Sequence, residues 1–161
     1  MADDETPKVI RTGRLELVDK AGKMRFSLGV SGGGSELIIS DGGYKPCAML
    51  ILDDEGTGLA LLDKNGKPGA ILSADTVGPK LAIYDGSGKE RIRLSIEKIG
   101  LGLVLSDENG KSRAGLGIDG KGGALVMSGE TGKLRAILVA REGDPSLTTF
   151  DEKGRPIAEF P

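Results

Sequence analysis

The sequence predicts an all-β protein built from tandem 22-residue β-hairpin repeats that form an elongated β-array, and three observations carry that prediction. Leucine recurs at 15, 37, 59, 81, 103, 125 and 147 with no insertion. A second leucine column follows thirteen residues behind at 28, 50, 72, 94, 116 and 138, and Phe160 takes its last place. The segments around both columns alternate apolar and polar, as in Leu15-Glu16-Leu17-Val18-Asp19 and Ser112-Arg113-Ala114-Gly115-Leu116-Gly117-Ile118. A period of two belongs to strands, and glycine punctuates the chain too often for sustained helix.

Taken in order, residues 1–14 do not match the repeat and form an N-terminal tail, with a short strand expected at Val9-Ile10. Seven units follow, at 15–36, 37–58, 59–80, 81–102, 103–124, 125–146 and 147–161. In each, the leading segment is the first strand of a hairpin. The turn comes next, and Asp63-Lys64-Asn65-Gly66-Lys67 and Asp107-Glu108-Asn109-Gly110-Lys111 show its chemistry most plainly. Asn-Gly between alternating segments is a strong hairpin signal, and a type I turn with a left-handed glycine forming a G1 bulge fits best. The aspartate column (19, 41, 63, 85, 107, 151) is broken by Gly129. The glycine column (22, 66, 88, 110, 132, 154) is broken by Tyr44, and the basic column runs Lys23, Lys45, Lys67, Lys89, Lys111, Lys133, Arg155. The aspartate at the turn entrance is expected to accept bonds from following backbone N–H groups, with the lysine after the glycine nearby. The second strand follows. The connection to the next unit, exemplified by Ser31-Gly-Gly-Gly34, is expected to be longer, looser and flexible, although Gly34, Gly56, Gly78, Gly100 and Gly122 share one phase.

The unit Leu103-x-Leu105-x-Asp107-x-x-Gly110-Lys111-x-Arg113-Ala114-x-Leu116 resembles tandem repeats of uncharacterised bacterial proteins over about 15–160. The resemblance implies a β-rich repeat protein and no activity. In its logic, though not in a motif or in repeat length, the array is also similar to the trimeric β-fibre shafts of viruses and phages.

One face of the predicted strands is apolar throughout (Leu15, Leu17, Leu28, Val30 and their equivalents), and leaving it in water is untenable at roughly 1.5–3 kcal/mol per large aliphatic side chain. The other face is mixed, with Glu16, Arg25, Arg91, Arg93 and Arg113 beside Leu62, Ile71, Val104, Val126, Ile137 and Val139. A closed fourteen-strand barrel would enclose a lumen too wide for Leu and Ala to fill. A propeller-like closure would need a partner chain, because two units per blade leave half a blade over. A monomeric β-solenoid is a further alternative, though hairpins reverse where coils bend. The favoured arrangement is an array in which identical chains wind around a shared apolar axis. The near absence of aromatics (3% of residues, no Trp) fits so narrow an axis, and Phe160 then reads as an end plug.

Composition narrows the chemistry. Among 161 residues there is no histidine, and the net charge is −2 with 22 basic and 24 acidic side chains. The usual general base and metal ligand is therefore missing, and a generally basic nucleic-acid binder is excluded. Cys47 is the only cysteine and is expected to be a small, half-buried apolar residue. One carboxylate per turn tip is a structural pattern, and Asp107-Glu108-Asn109-Gly110 lacks the rest of a calcium loop. Ser31-Gly-Gly-Gly-Ser35 lacks the context of a phosphate loop. No catalytic, cofactor-binding or metal-ligating residue is assigned, and no enzyme is expected. The acidic start Met1-Ala-Asp-Asp-Glu is not a signal peptide, and no apolar run approaches a membrane span, so the default expectation is a cytoplasmic, non-membrane protein, with extracellular release left open. The expected role is a self-associating scaffold, spacer or fibre subunit, as a homo-oligomer with trimer or filament favoured. The alternative is an interaction module that binds a protein or polyanion through the ladder of Lys23 to Lys133 with Arg25, Arg91, Arg113 and Arg135. The interleaved acids and the lack of stacking aromatics disfavour nucleic acid. Any partner contact is sought first around Gly42–Cys47, Tyr44 and Tyr84.

Overall fold

In a computed structural model, residues 9–98 and 100–161 are described, and they form fourteen strands, with no helix among them. The strands are β1 (Arg14–Val18), β2 (Met24–Ser31), β3 (Gly34–Ser40), β4 (Pro46–Asp53), β5 (Gly56–Leu62), β6 (Pro68–Asp75), β7 (Pro79–Tyr84), β8 (Glu90–Glu97), β9 (Gly100–Ser106), β10 (Ser112–Asp119), β11 (Gly122–Ser128), β12 (Leu134–Arg141), β13 (Ser146–Phe150) and β14 (Pro156–Phe160). They lie in one open sheet in chain order, every neighbouring pair antiparallel. The all-β hairpin array read from the leucine columns is thus what the chain builds. The reversal at each connection makes a meander rather than the coils of a solenoid, and within the chain the sheet does not break into blades. Val9-Ile10, expected as a short strand, carry none; the described part of the tail joins the ladder where the Val30 amide donates to the Gly13 carbonyl at 2.9 Å. The rest of the expected tail, residues 1–8, lies outside the described residues.

Register follows from the 22-residue period. Leu15 pairs with Leu28, Leu28 with Leu37, Leu37 with Leu50, and so on strand by strand to Leu138 with Leu147 and Leu147 with Phe160. Directly opposed residues share a face. The two leucine columns of the sequence therefore merge into one row that crosses all fourteen strands.

The two ends of the strands differ. At the first, each odd strand turns into the next even one through the predicted turn. The Asp19 amide donates to the Lys23 carbonyl at 2.9 Å and the Gly22 amide to the Asp19 carbonyl at 2.9 Å, and the pattern recurs at Asp63, Asp85, Asp107 and Asp151. The turn glycines sit at φ near +80°, and a one-residue register shift marks the bulge beside each. Gly129 makes the same turn without a carboxylate. Tyr44 takes the glycine's place at φ 62°.

At the second end the expectation of longer, looser loops is overturned. Asp53 pairs with Gly56, Glu97 with Gly100 and Asp119 with Gly122, leaving two residues to each of these turns; Asp75 to Pro79 and Arg141 to Ser146 are longer. The in-phase glycines explain the tightness. A Cβ on Gly100, whose φ is +137°, would overlap the Ile118 carbonyl oxygen, and one on Gly122 that of Ala140. Only a residue without a side chain lets the neighbouring strand pass that close.

Candidate functional site: an uncovered leucine face

A single sheet has two faces and no interior. The accessible surface is 11550 Å², against about 7,600 Å² for a compact monomer of 16.7 kDa. Among the described residues Ala82 is the only buried apolar side chain. The row from Leu15 to Phe160 is instead half open to solvent: Leu59 is 40% exposed, Leu72 52% and Leu94 38%. Two flanking columns share this face. Toward the first end run Leu17, Phe26, Ile39, Ala48, Leu61, Ala70 and their successors, large mostly on odd strands and small mostly on even ones. Toward the second end run Ser35, Leu52, Thr57 and Ala74; the alternation is reversed from Ser35 to Thr57, and Ala74 on β6 departs from it. Near the N-terminal edge the face hollows into an apolar groove of about 490 Å³ between Leu15, Leu28, Leu37, Leu50, Val30 and Leu52.

The opposite face is shallower and mixed. Its rows hold Gly58, Ala60, Ser73, Ala82, Gly102, Gly115 and Gly117 beside Ile38, Ile71, Val104 and Ile137. Here the side chains cover one another, so that Ser27 and Ser40 are buried with their hydroxyls unpartnered. Such an orphaned hydroxyl costs roughly 1–3 kcal/mol.

At the first end the aspartates act as predicted on the backbone. Asp63 Oδ1 accepts from the Asn65 and Lys67 amides at 2.7 and 2.9 Å, and Asp107 Oδ1 from those of Asn109 and Lys111 at 2.8 and 3.0 Å. These N–H bonds are the leading cause holding Asp19, Asp41, Asp63, Asp107 and Asp151 below the usual carboxylate range; at Asp85 the Ser87 hydroxyl leads. The charged partner is not the expected lysine. An arginine six residues after the aspartate takes that place, as in Arg25 with Asp19 (2.8 Å), Arg91 with Asp85 (3.2 Å) and Arg113 with Asp107. The same arginines reach across to the next hairpin, donating to the carbonyls of Asp41, Ser106 and Gly129. The lysines reach further. Lys67, Lys89 and Lys133 donate through Nζ to the carbonyls of Gly86, Glu108 and Glu152, each nineteen residues on. The basic ladder is thus a row of links between adjacent turns. The signal for it was the Arg in Gly-Lys-x-Arg, whose partner only the register reveals. Aspartates at the second end were missed altogether: Asp53 and Asp75 each cap their tight turn by accepting two backbone amides.

The residues singled out as contact candidates do not converge. Tyr44 is exposed at the turn between β3 and β4, whereas Tyr84 is half-buried on β7, three strands or roughly 15 Å away. Burial raises the Tyr84 phenol above its ordinary range. Cys47 is half-buried, as expected, with Sγ 3.8 Å from the Lys45 carbonyl oxygen. Phe160 lies on the leucine face at the last strand and is 56% exposed. Among the described residues no His, Cys, Asp or Glu side chains group to hold a metal ion, and no helix is long and apolar enough to cross a membrane. Comparison of the chain with models of known families and with curated protein sequences finds no match.

Proposed function

We propose that this chain is a non-catalytic structural subunit, a β-repeat scaffold or spacer that self-associates through its leucine face. The observation that carries the reading is the unbroken leucine row, open to solvent on a sheet that has no second layer among the described residues. The apolar band is three columns wide, and with about 6.7 Å per column and about 4.8 Å per strand it measures about 20 by 62 Å, or about 1,200 Å². That exceeds the roughly 800 Å² per partner of a standard stable interface. A partner must also match an apolar relief repeating every ~9.6 Å, two strand spacings, along the whole length. A second copy of the chain does so by construction. The turn chemistry supports the same reading, because the basic heads that would follow a polyanion are bonded to backbone carbonyls of the next hairpin. Among the described residues, five of the seven repeats carry such a link to the next, and each repeat then serves as a spacer increment.

Sedimentation equilibrium and thermal unfolding of the full chain, over a hundredfold range of concentration, test this. A multimeric mass and an unfolding midpoint that rises with concentration are expected. A sharp monomer with a concentration-independent midpoint overturns the proposal.

A further inference from the structure

The reading above, on which this inference rests, leaves open how many copies meet. We infer that three copies close around the leucine row, their sheets forming the walls of a triangular prism whose axis runs along the stack of strands.

The first argument is room. Facing sheets pack about 10 Å apart, so each fills about 5 Å with side chains. A triangle whose walls are the 20 Å apolar band has its centre about 6 Å from each wall, which leucines reach. A square of the same band leaves about 10 Å per wall and an empty channel. Two flat sheets also meet the depth, so a second argument must separate two from three.

That argument is the gradient of side-chain size across the face. Between two flat sheets the gap is uniform from one end of the strands to the other. Between prism walls it is widest at mid-wall and narrows to the corners. The central row is leucine on every strand up to Phe160, so the middle is uniformly large. The flanks are large at one end of a strand and small at the other: Ala48 and Leu52 on β4, Leu61 and Thr57 on β5, Ala114 and Ile118 on β10. Strands β2, β8 and β9 depart from this with large residues at both ends, and β6 and β12 with small ones, Ala70 with Ala74 and Ala136 with Ala140. In a ring about the stacking axis, the first end of each strand meets the second end of the same strand in the next copy. Large then meets small at the corners of these layers, whereas two leucine-sized groups would crowd them. The opposite face has no such gradient and turns outward.

The test uses the full chain with Cys47→Ser and a single new cysteine. In Leu81→Cys the thiols of one layer point at the axis, and mild oxidation is expected to cross-link two of every three copies. In Lys80→Cys, one residue away on the opposite face, no cross-link is expected. Leu125→Cys repeats the experiment far along the row, should Leu81→Cys not fold. The unaltered chain is expected to sediment at three times its 16.7 kDa. A twofold mass overturns the prism but leaves self-association standing, and a single-chain mass overturns both. Equal cross-linking of the Lys80→Cys and Leu81→Cys variants overturns the leucine row as the meeting surface.

Discussion

At the scale of single residues, the turn aspartates do more than keep the tips soluble. Each organises its turn by accepting two backbone amides, and an arginine clamps its second oxygen at Asp19, Asp85, Asp107 and Asp151. Gly129 shows what is separable. The turn survives there on backbone geometry alone, and the Arg135 side chain occupies the space a carboxylate stem would take. All these carboxylates have folded pKa values depressed below about 3.9, the value of the unfolded chain. Their contribution is therefore fully present above that value, and it is lost as pH falls through it toward the folded values. With no histidine to titrate between pH 5 and 8, the unfolding midpoint is expected to stay flat across that range and to fall below about pH 4. Circular dichroism melts from pH 8 to pH 2 check this. In Asp107→Asn the neutral-pH midpoint should drop and part of the acid slope disappear; a midpoint that starts falling at pH 6 would assign the linkage elsewhere.

At the scale of the hairpin, legibility divided by the range of the cause. The predicted turn was readable because everything that makes it lies within Asp107–Lys111, and the strands because alternation is local. The other connection was misread as loose because its tightness comes from outside the segment. Gly100 is required by the carbonyl of Ile118, eighteen residues away, and composition alone shows only a glycine in a polar stretch. The arginine links were hidden for the same reason, since Arg113 and Gly129 are neighbours only once β10 and β11 are paired. The leucine face itself was legible residue by residue. What covers it was not, because among the described residues only Ile10, Thr12 and Gly13 of the tail lie against it, at its N-terminal edge. The close approach gives a sharp contrast between two glycines. Gly100→Ala adds a methyl against backbone at a φ that side chains avoid, and is expected to cost about 1–3 kcal/mol. Gly117→Ala adds one where nothing lies within 4 Å, and is expected to be neutral or stabilising by up to about 1 kcal/mol. Urea titration of the two variants decides; equal effects would mean that the second-end turns yield where the structure has them rigid.

At the scale of the whole molecule, each hairpin touches only the strands on either side, so stability is a sum of unit terms and nearest-neighbour terms. Such an array has no central residue on which the others depend, and its length is set by how many units it holds. Deleting residues 81–102 removes 22 positions and joins Lys80 to Leu103, so Leu72 meets Leu103 as it met Leu81. The leucine row and the turn phase close again, and the Glu108 carbonyl takes the place of that of Gly86 as the acceptor for Lys67 across the junction. Deleting 83–103 instead removes 21, and leaves one residue too many between Leu81 and the turn at Asp107. A one-residue slip turns every following side chain of the strand to the other face, which puts Leu105 among the small residues. The 22-residue deletion is expected to keep a cooperative β-sheet transition with a slightly lower midpoint, and to keep the same number of copies in the assembly. The 21-residue deletion is expected to broaden the transition or abolish it. If both deletions behave alike, in circular dichroism melts and in solution mass, the leucine row is not what registers the units, and the uncovered face loses its claim to be the assembly surface.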